Sequence, residues 1–235
     1  VARRIAHEIK NPLTPIQLSA ERIKRKFGRQ MQGEDAEKLD QMTEVIVRQT
    51  EDLRRIVDEF SKFARMPEPE RRPEDVVTLL RGAALLQETG QPDVRFVIDL
   101  PEAEMPAELD ATMIGQALTN LIKNAGEATE TYIEKGLAPE GYQPTIRVRS
   151  THSGGRAELS ISDNGTGLPE DRSRLFEPYV THREKGTGLG LSIVKKIVEE
   201  HLGQLELLDA PAFGDDGHFG AALRITFPKT EKRDT

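Results

Sequence analysis

Over the first 66 residues apolar side chains recur every three or four positions, and the recurrence breaks once. Ile5, Ile9, Leu13, Ile16, Ala20, Ile23 and Phe27 form one stripe; Leu39, Met42, Ile46, Gln49, Leu53, Ile56, Phe60 and Phe63 form a second. Such spacing puts every member of a stripe on one side of a helix. Gly28 and Gly33 lie between the stripes, so the pattern predicts two helices joined by a short turn. Two helices alone cover such a stripe poorly. The expectation is therefore a homodimer through residues 1–66, in which two antiparallel hairpins close a four-helix bundle. Pro12 and Pro15 fall inside the first helix. Each removes a hydrogen bond to the carbonyl four residues back, which predicts a bend or loosening just after residue 7.

The period vanishes at Met66-Pro67-Glu68-Pro69-Glu70-Arg71-Arg72-Pro73, where three prolines in eight residues predict an extended linker over 67–73. From 74 to 230 the pattern alternates between helical and strand periods. Helices are expected near 74–89, 110–134 and 189–202, and strands near 94–100, 145–151, 157–162, 204–209 and 220–227. The fold class is α followed by α/β: a helical hairpin, then a sandwich of one helical layer on a mixed sheet. Residues 231–235 are expected to be a frayed tail.

Composition narrows the chemistry. There is no cysteine, which excludes disulfides and thiolate metal sites, and the five histidines lack ligand spacing. Any metal is held by oxygen. No apolar run approaches the roughly 20 residues needed to cross a bilayer. The start shows neither an initiator methionine nor a signal-peptide pattern, and the expectation is a soluble portion of a longer protein. Residues 1–66 carry 14 Lys/Arg against 11 Asp/Glu, whereas the rest carries 19 against 29. So acidic a second part disfavours nucleic acid as a partner.

Four groups of residues carry candidate chemistry. In Ala6-His7-Glu8-Ile9-Lys10-Asn11-Pro12, His7 and Asn11 lie one turn apart on a helix face, with Glu8 beside them. A neutral imidazole is a nucleophile near pH 7, and an adjacent carboxylate can orient one ring nitrogen and activate the other. Asn120 and Asn124 share one flank of the long helix; their amide oxygens suit Mg²⁺ and their nitrogens can donate to phosphate. Asp163 ends an alternating strand and runs into Asn164-Gly165-Thr166-Gly167, a carboxylate able to accept from the exocyclic amine of adenine, next to glycines that let backbone approach a base. Gly186-Thr187-Gly188-Leu189-Gly190 opens straight into a helix, which turns free N–H groups toward an anion. Residues 168–185 between these groups read as a mobile lid in which Arg183 and Lys185 could reach phosphate.

The segments AHEIKNPLTP, NLIKNAGEA, SDNGTGLP, LFEPY and GTGLGL resemble, in order and spacing, the H, N, G1, F and G2 boxes of sensor histidine kinases. The similarity runs from Ala2 to Pro228, and the first box with its continuation to Gly28 is most similar to NtrY-type nitrogen-regulation sensors. The resemblance implies a dimerisation and histidine-phosphotransfer domain over 1–66 and a Bergerat-type ATP-binding domain over 74–230. It implies ATP and Mg²⁺ as cofactors, with His7 taking the γ-phosphoryl group, Glu8 as base, and Asn124 helped by Asn120 as metal ligands. Asp163 would read adenine. Gly165, Gly167, Gly186, Gly188 and Gly190, together with Lys123, Thr187, Leu189, Arg183 and Lys185, would shape or line the nucleotide site. Asn11 stands where the family places the group that orients water for dephosphorylating its partner. That partner would be the receiver domain of a response regulator, docking near Leu13, Ile16, Gln17 and Ala20. His182 departs from the threonine common at its position. The resemblance also implies a cytoplasmic portion of an inner-membrane sensor. Two other functions stand beside this one. A GHKL-type ATPase would carry glutamate where Asn120 stands and would lack the His7 hairpin; a non-catalytic nucleotide-binding scaffold is opposed by intact His7, Glu8, Asn124 and Asp163.

Overall fold

The computed structural model describes residues 2–63, 66–153, 155–178, 180, 188–213 and 220–228. It divides into two compact units, Val1–Pro67 and Glu68–Thr235.

The first unit is a hairpin of α1 (Ala2–Phe27) and α2 (Glu34–Phe63). Its inner seam shares only Leu13 and Ala20 with the stripes read off the sequence. In α1 the buried residues are Ala6, Leu13 and Ala20, with Gln17 partly covered; facing them in α2 are Thr43, Thr50, Val57 and Ser61, with Val47 partly covered. Steps of three, four or seven make this a heptad seam, filled by small and β-branched residues that let the helices approach closely. The Thr43 and Thr50 hydroxyls bond back to carbonyls of their own helix, Leu39 and Ile46 among them, which satisfies them inside the seam. Polar side chains close its rims: Lys10 pairs with Asp58, Lys24 with Asp40 and Glu44, and Arg54 reaches Thr14 and Gln17. The predicted apolar stripes are largely a neighbouring face that the single hairpin leaves open. Ile5, Ile9, Ile16, Ile23, Met42, Ile46 and Leu53 all remain exposed.

Pro12 and Pro15 do not break α1, which runs on through both. Each proline withholds an N–H from the carbonyl four residues back, that of Glu8 and that of Asn11. Ser19 turns its hydroxyl onto the Pro15 carbonyl at 2.7 Å.

In the second unit, five strands form a mixed sheet in the order β2-β4-β5-β7-β6. They are β2 (Arg95–Asp99), β4 (Thr145–Ser153), β5 (Arg156–Asp163), β6 (Gln204–Asp209) and β7 (Ala221–Pro228). Only the β2–β4 pair is parallel. Helices α3 (Val76–Gly90), α4 (Ala111–Glu134) and α5 (Gly190–Glu200) make one layer on it. Ile146, Val148, Leu159, Ile161, Ile225 and Phe227 point from alternate strand positions into a core completed by Leu80, Ile114, Leu118, Leu121, Val194 and Ile197. The other sheet face is charged, with Arg149 paired to Asp99 and Arg224 to Glu158 and Glu206.

Two short strands escape the sequence pattern. β1 (Arg72–Asp75) and β3 (Pro106–Leu109) form a separate antiparallel pair. Arg72 and Pro73, expected in the linker, thus belong to a strand. Each of these strands is followed closely by a helix capped by an aspartate. Asp75 accepts from Val77 and Thr78 of α3 and from Met105. Asp110 accepts from Thr112 and Met113 of α4 and also from Glu70. Burial would raise both carboxyls, but the hydrogen bonds they accept, led at Asp75 by the Thr78 hydroxyl and at Asp110 by the Met113 N–H, outweigh it and hold both below the ordinary range. Behind Asp110, buried His201 accepts the Asp110 N–H on Nε2 at 3.0 Å and bonds the Ile197 carbonyl through Nδ1 at 2.7 Å. Both ring nitrogens are used inside the core, with the proton on Nδ1.

Candidate functional site

The candidate residues fall in both units. On α1, His7, Glu8 and Asn11 are exposed, one step away from buried Ala6. The heptad explains this: Ala6, Leu13 and Ala20 mark the seam, so the residue after Ala6 is turned outward. The Lys10–Asp58 pair ties this stretch to α2. The same geometry corrects the expected docking set. Leu13 and Ala20 are only 5% and 2% exposed inside the seam, whereas Ile16 is 45% exposed. Ile16 and partly covered Gln17 are the members of that set that reach the surface.

In the second unit three elements converge. Asn120 and Asn124 lie half-buried on α4. Lys123 is exposed and its Nζ lies 3.7 Å from Glu127 one turn on, an ion pair worth little at such exposure. Asp163 is the last residue of β5, opposite Ile146 at the start of β4, and is 2% exposed. Its Oδ1 accepts the Gly165 N–H at 2.9 Å. Gly165 itself presses on α4: a β-carbon there would lie 2.4 Å from the Ala128 carbonyl carbon and 2.6 Å from the Thr129 nitrogen. No side chain fits, and the Thr166 N–H reaches the Ala128 carbonyl just beyond. Gly167 and Gly188 both adopt positive φ, at 73° and 68°, which glycine tolerates without a Cβ clash.

Gly190 begins α5, and a β-carbon on it would lie 3.7 Å from the Asn124 amide nitrogen. The start of α5 therefore abuts the very asparagine read as a metal ligand. No side chain caps this helix, and Leu189 before it is fully buried. The first-turn N–H groups accordingly form the kind of terminus that receives phosphate. Lys195 lies over the Phe176 ring at 5.2 Å, and Arg172 pairs with Asp209 at 2.5 Å, fixing parts of the segment read as a lid. Arg183, Lys185, Gly186, Thr187 and His182 lie outside the described residues, as does the tail 231–235.

The donor set fits a magnesium nucleotide. Amide oxygens are hard neutral ligands, and no cluster of three acidic or histidine side chains able to hold a metal occurs among the described residues.

Sequence reasoning missed three participants. Gly220, just before β7, backs so closely on Asp163 that a β-carbon would lie 1.8 Å from its carbonyl oxygen. Asn164 is 8% exposed and bonds Thr145 and Gln143 through its side chain. Tyr142 bonds Asn164. Only Asn164 lies in a recognisable motif, between Asp163 and Gly165.

Comparison with known proteins agrees with this arrangement. Residues 1–69 match the His Kinase A (phospho-acceptor) domain, and residues 109–231 match the histidine kinase-, DNA gyrase B- and HSP90-like ATPase family. Nitrogen regulation protein NtrY of Azorhizobium caulinodans is 53% identical over 239 residues, covering 100% of this chain and 30% of that protein. The chain thus spans about a third of that relative's length. The sensory histidine kinase/phosphatase NtrB of Rhodobacter capsulatus is 33% identical over 90% of this chain and 58% of its own length. Among solved structures, histidine kinase ThkA in complex with the response regulator protein TrrA aligns with a TM-score of 0.63 at 26% identity, covering 97% of this chain and 60% of that one. A phosphoacceptor hairpin followed by a Bergerat-type ATP-binding sandwich, with these relatives, establishes that the chain belongs to the sensor histidine kinases, as the kinase portion of the NtrY type.

Proposed function

We propose that this chain phosphorylates its own His7 from ATP and passes the phosphoryl group to an aspartate of a response-regulator receiver domain. The observation that carries the nucleotide half is the convergence of Asn124, Gly190 and the Asp163–Gly165 turn. Asp163 would accept from the adenine amine, Gly165 and Gly167 would admit the base, and the start of α5 with Gly188 would receive phosphate. Asn124, with Asn120 beside it on α4, would hold the Mg²⁺ that neutralises charge on the triphosphate. Lys123, exposed on the same helix, would add positive charge at the rim.

In the transfer, one ring nitrogen of His7 forms a bond to the γ-phosphorus as the bond to the ADP oxygen breaks, in line and through a loose transition state. The proton of the other ring nitrogen passes to Glu8. The chain's own contribution is positioning and charge stabilisation. Exposure of His7 on α1 supports this role, because both the ATP-binding unit and the receiver must reach it.

The open apolar face of the hairpin supports a homodimer through residues 1–66, with a second copy completing a four-helix bundle. Receiver docking would use the rim at Gln17, since Ile16 belongs to the open face that the second copy would cover. Asn11, a turn beyond His7, would orient water for dephosphorylating the regulator. NtrB is named a kinase/phosphatase, which supports that second activity here. Kinship with the nitrogen regulation protein NtrY supports nitrogen regulation as the process served, and by the resemblance to NtrY-type sensors this portion would lie on the cytoplasmic side of an inner-membrane parent.

The test is incubation with γ-labelled ATP and Mg²⁺. Acid-labile, base-stable label in the wild type and none in His7→Gln is expected. Tight ATP binding with no label on the wild-type chain would refute the kinase assignment. Asn11→Ala should keep autophosphorylation and lose dephosphorylation of the phosphorylated regulator; equal loss of both would remove its special role.

A further inference from the structure

Tyr142 lies in the connection between α4 and β4, outside every recognised motif. Its hydroxyl is 3.0 Å from the Asn164 main-chain oxygen and 3.1 Å from Asn164 Oδ1. The first of these oxygens belongs to the peptide that joins Asn164 to Gly165. The N–H of that same peptide donates to Asp163 Oδ1 at 2.9 Å. One rigid amide thus has a tyrosine hydroxyl on its carbonyl end and the Asp163 carboxylate on its N–H end.

We propose that Tyr142 is a positioning residue for nucleotide selection, fixing the Asp163 carboxylate through the Asn164–Gly165 peptide. The inference rests on the assignment of Asp163 to the adenine amine.

Three observations make the linkage more than a loop contact. The peptide cannot retreat from Tyr142 into a gap, because Gly165 already presses on the α4 backbone at Ala128 and Thr129. The Tyr142 ring rests against Tyr132 of α4, with centroids 5.2 Å apart, so the hydroxyl is held from the helix that also carries Asn124. Asn164 pins the same turn independently through Thr145 N–H at 2.8 Å and the Gln143 carbonyl at 2.9 Å. Donation to a peptide carbonyl polarises the amide and strengthens the bond its N–H makes. The phenol keeps its proton for this work, since burial first, and then the Asp163 charge and Tyr132, push its ionisation well above the ordinary tyrosine range.

A positioning role and a merely structural one differ in a measurable way. Purine riboside 5′-triphosphate lacks the exocyclic amine and makes no use of Asp163, yet it keeps every phosphate contact. Affinities of the 1–235 chain for ATP and for this analogue, measured with Mg²⁺ by displacement of a fluorescent nucleotide, give a preference ratio. A bond to a charged carboxylate should favour ATP about tenfold or more in the wild type, and Asp163→Ala should abolish that preference. Tyr142→Phe keeps the ring on Tyr132 and loses only the hydroxyl. Its preference should fall about threefold or more, with affinity for the analogue within about twofold of wild type. Asn164→Ser, which cuts the side-chain ties to Thr145 and Gln143 and the Oδ1 contact with Tyr142 but leaves the peptide carbonyl for the Tyr142 hydroxyl, should retain most of the preference. If Tyr142→Phe fails to fold, loss of the preference in Asn164→Ser still counts against a relay through the peptide.

The failures separate cleanly. No preference in the wild type overturns the Asp163 assignment and the relay with it. A wild-type preference lost in Asp163→Ala but intact in Tyr142→Phe overturns the relay alone. Equal weakening of both nucleotides by Tyr142→Phe also overturns it, leaving Tyr142 a structural pin.

Discussion

Among the described residues, eleven large apolar side chains of the 67-residue hairpin unit are exposed, against five of the 168-residue ATP-binding unit. The hairpin spends small and hydroxylated residues on its internal seam, Ala6 and Ala20 against Thr43 and Thr50, and leaves its isoleucines outside. The second unit does the reverse, sinking Leu118, Leu121, Ile161 and Phe227 completely and covering the far face of its sheet with ion pairs. Apolar surface left in water is unfavourable at about 25 cal/mol per Å². The hairpin is therefore half of a core whose remainder is supplied from outside, and the ATP-binding unit is a core complete in itself. One unit is built to be met and the other to hold a small molecule tightly.

The largest effect should come from attacking the open face. Ile46→Asp removes about 2 kcal/mol of apolar burial from each copy, or about 4 kcal/mol per symmetric dimer. Sedimentation should show the dimer dissociating about a thousandfold more readily, while the ATP-binding unit melts unchanged. A dimer of undiminished stability would mean that the isoleucine face is not the interface.

Gly165→Ala attacks the closed core. Its β-carbon would sit 2.4 Å from the Ala128 backbone, and forced overpacking of this kind costs about 3 kcal/mol. Urea unfolding should register the loss in the ATP-binding unit together with weakened nucleotide binding, and the dimer should persist. Unchanged stability would show that α4 and the Asp163 turn are not in hard contact.

Smaller losses belong to the caps. Asp110→Ala should cost about 1 kcal/mol. Asp75 and Asp110 both have carboxyls depressed in the folded chain. A depressed folded value contributes stability above the unfolded pKa of about 3.9, and this is lost as pH falls through the folded value. The ATP-binding unit should weaken on acidification below about pH 4, and Asp75→Ala should flatten that slope. The smallest change is a gain. Leu202 holds a positive φ of 59° while 66% exposed, so Leu202→Gly should raise the melting midpoint, by about 0.5 kcal/mol once the entropy of glycine is set against the relieved strain.

The same contrast explains what the sequence disclosed. The candidate nucleotide-site residues stood out because the proposed chemistry asks for particular types: a carboxylate at a strand end, a glycine at 165 where a β-carbon would strike α4, amides one turn apart. The long helices and the five-stranded sheet were legible through their periods. β1 and β3 were not, since Arg72-Pro73-Glu74-Asp75 and Pro106-Ala107-Glu108-Leu109 are four-residue pieces with charge and proline where alternation would be sought. The hairpin misled in a more interesting way. Hydrophobicity picked out Leu13 and Ala20, which do lie in the seam, together with Ile16, Ile23, Ile46 and Leu53 on the face the chain leaves open, while the rest of the seam ran aside through Ala6, Thr43 and Thr50. Leu13 and Ala20, expected to meet the receiver, lie in that seam. Tyr142 and Gly220 carried no signal, because their importance arises only from what the fold brings beside Asp163.

The proposed transfer joins an acceptor on one unit to a donor site on the other, and mapping the phosphoryl group in two chains tests that join most directly. Wild-type and Asn124→Ala proteins, incubated with Mg²⁺ and ATP, would be fragmented under alkaline conditions and read by mass spectrometry. A single phosphoryl group on His7 in the wild type, and none in Asn124→Ala, is the expected result. Phosphate on another residue, or on His7 in undiminished amount after Asn124→Ala, would contradict it.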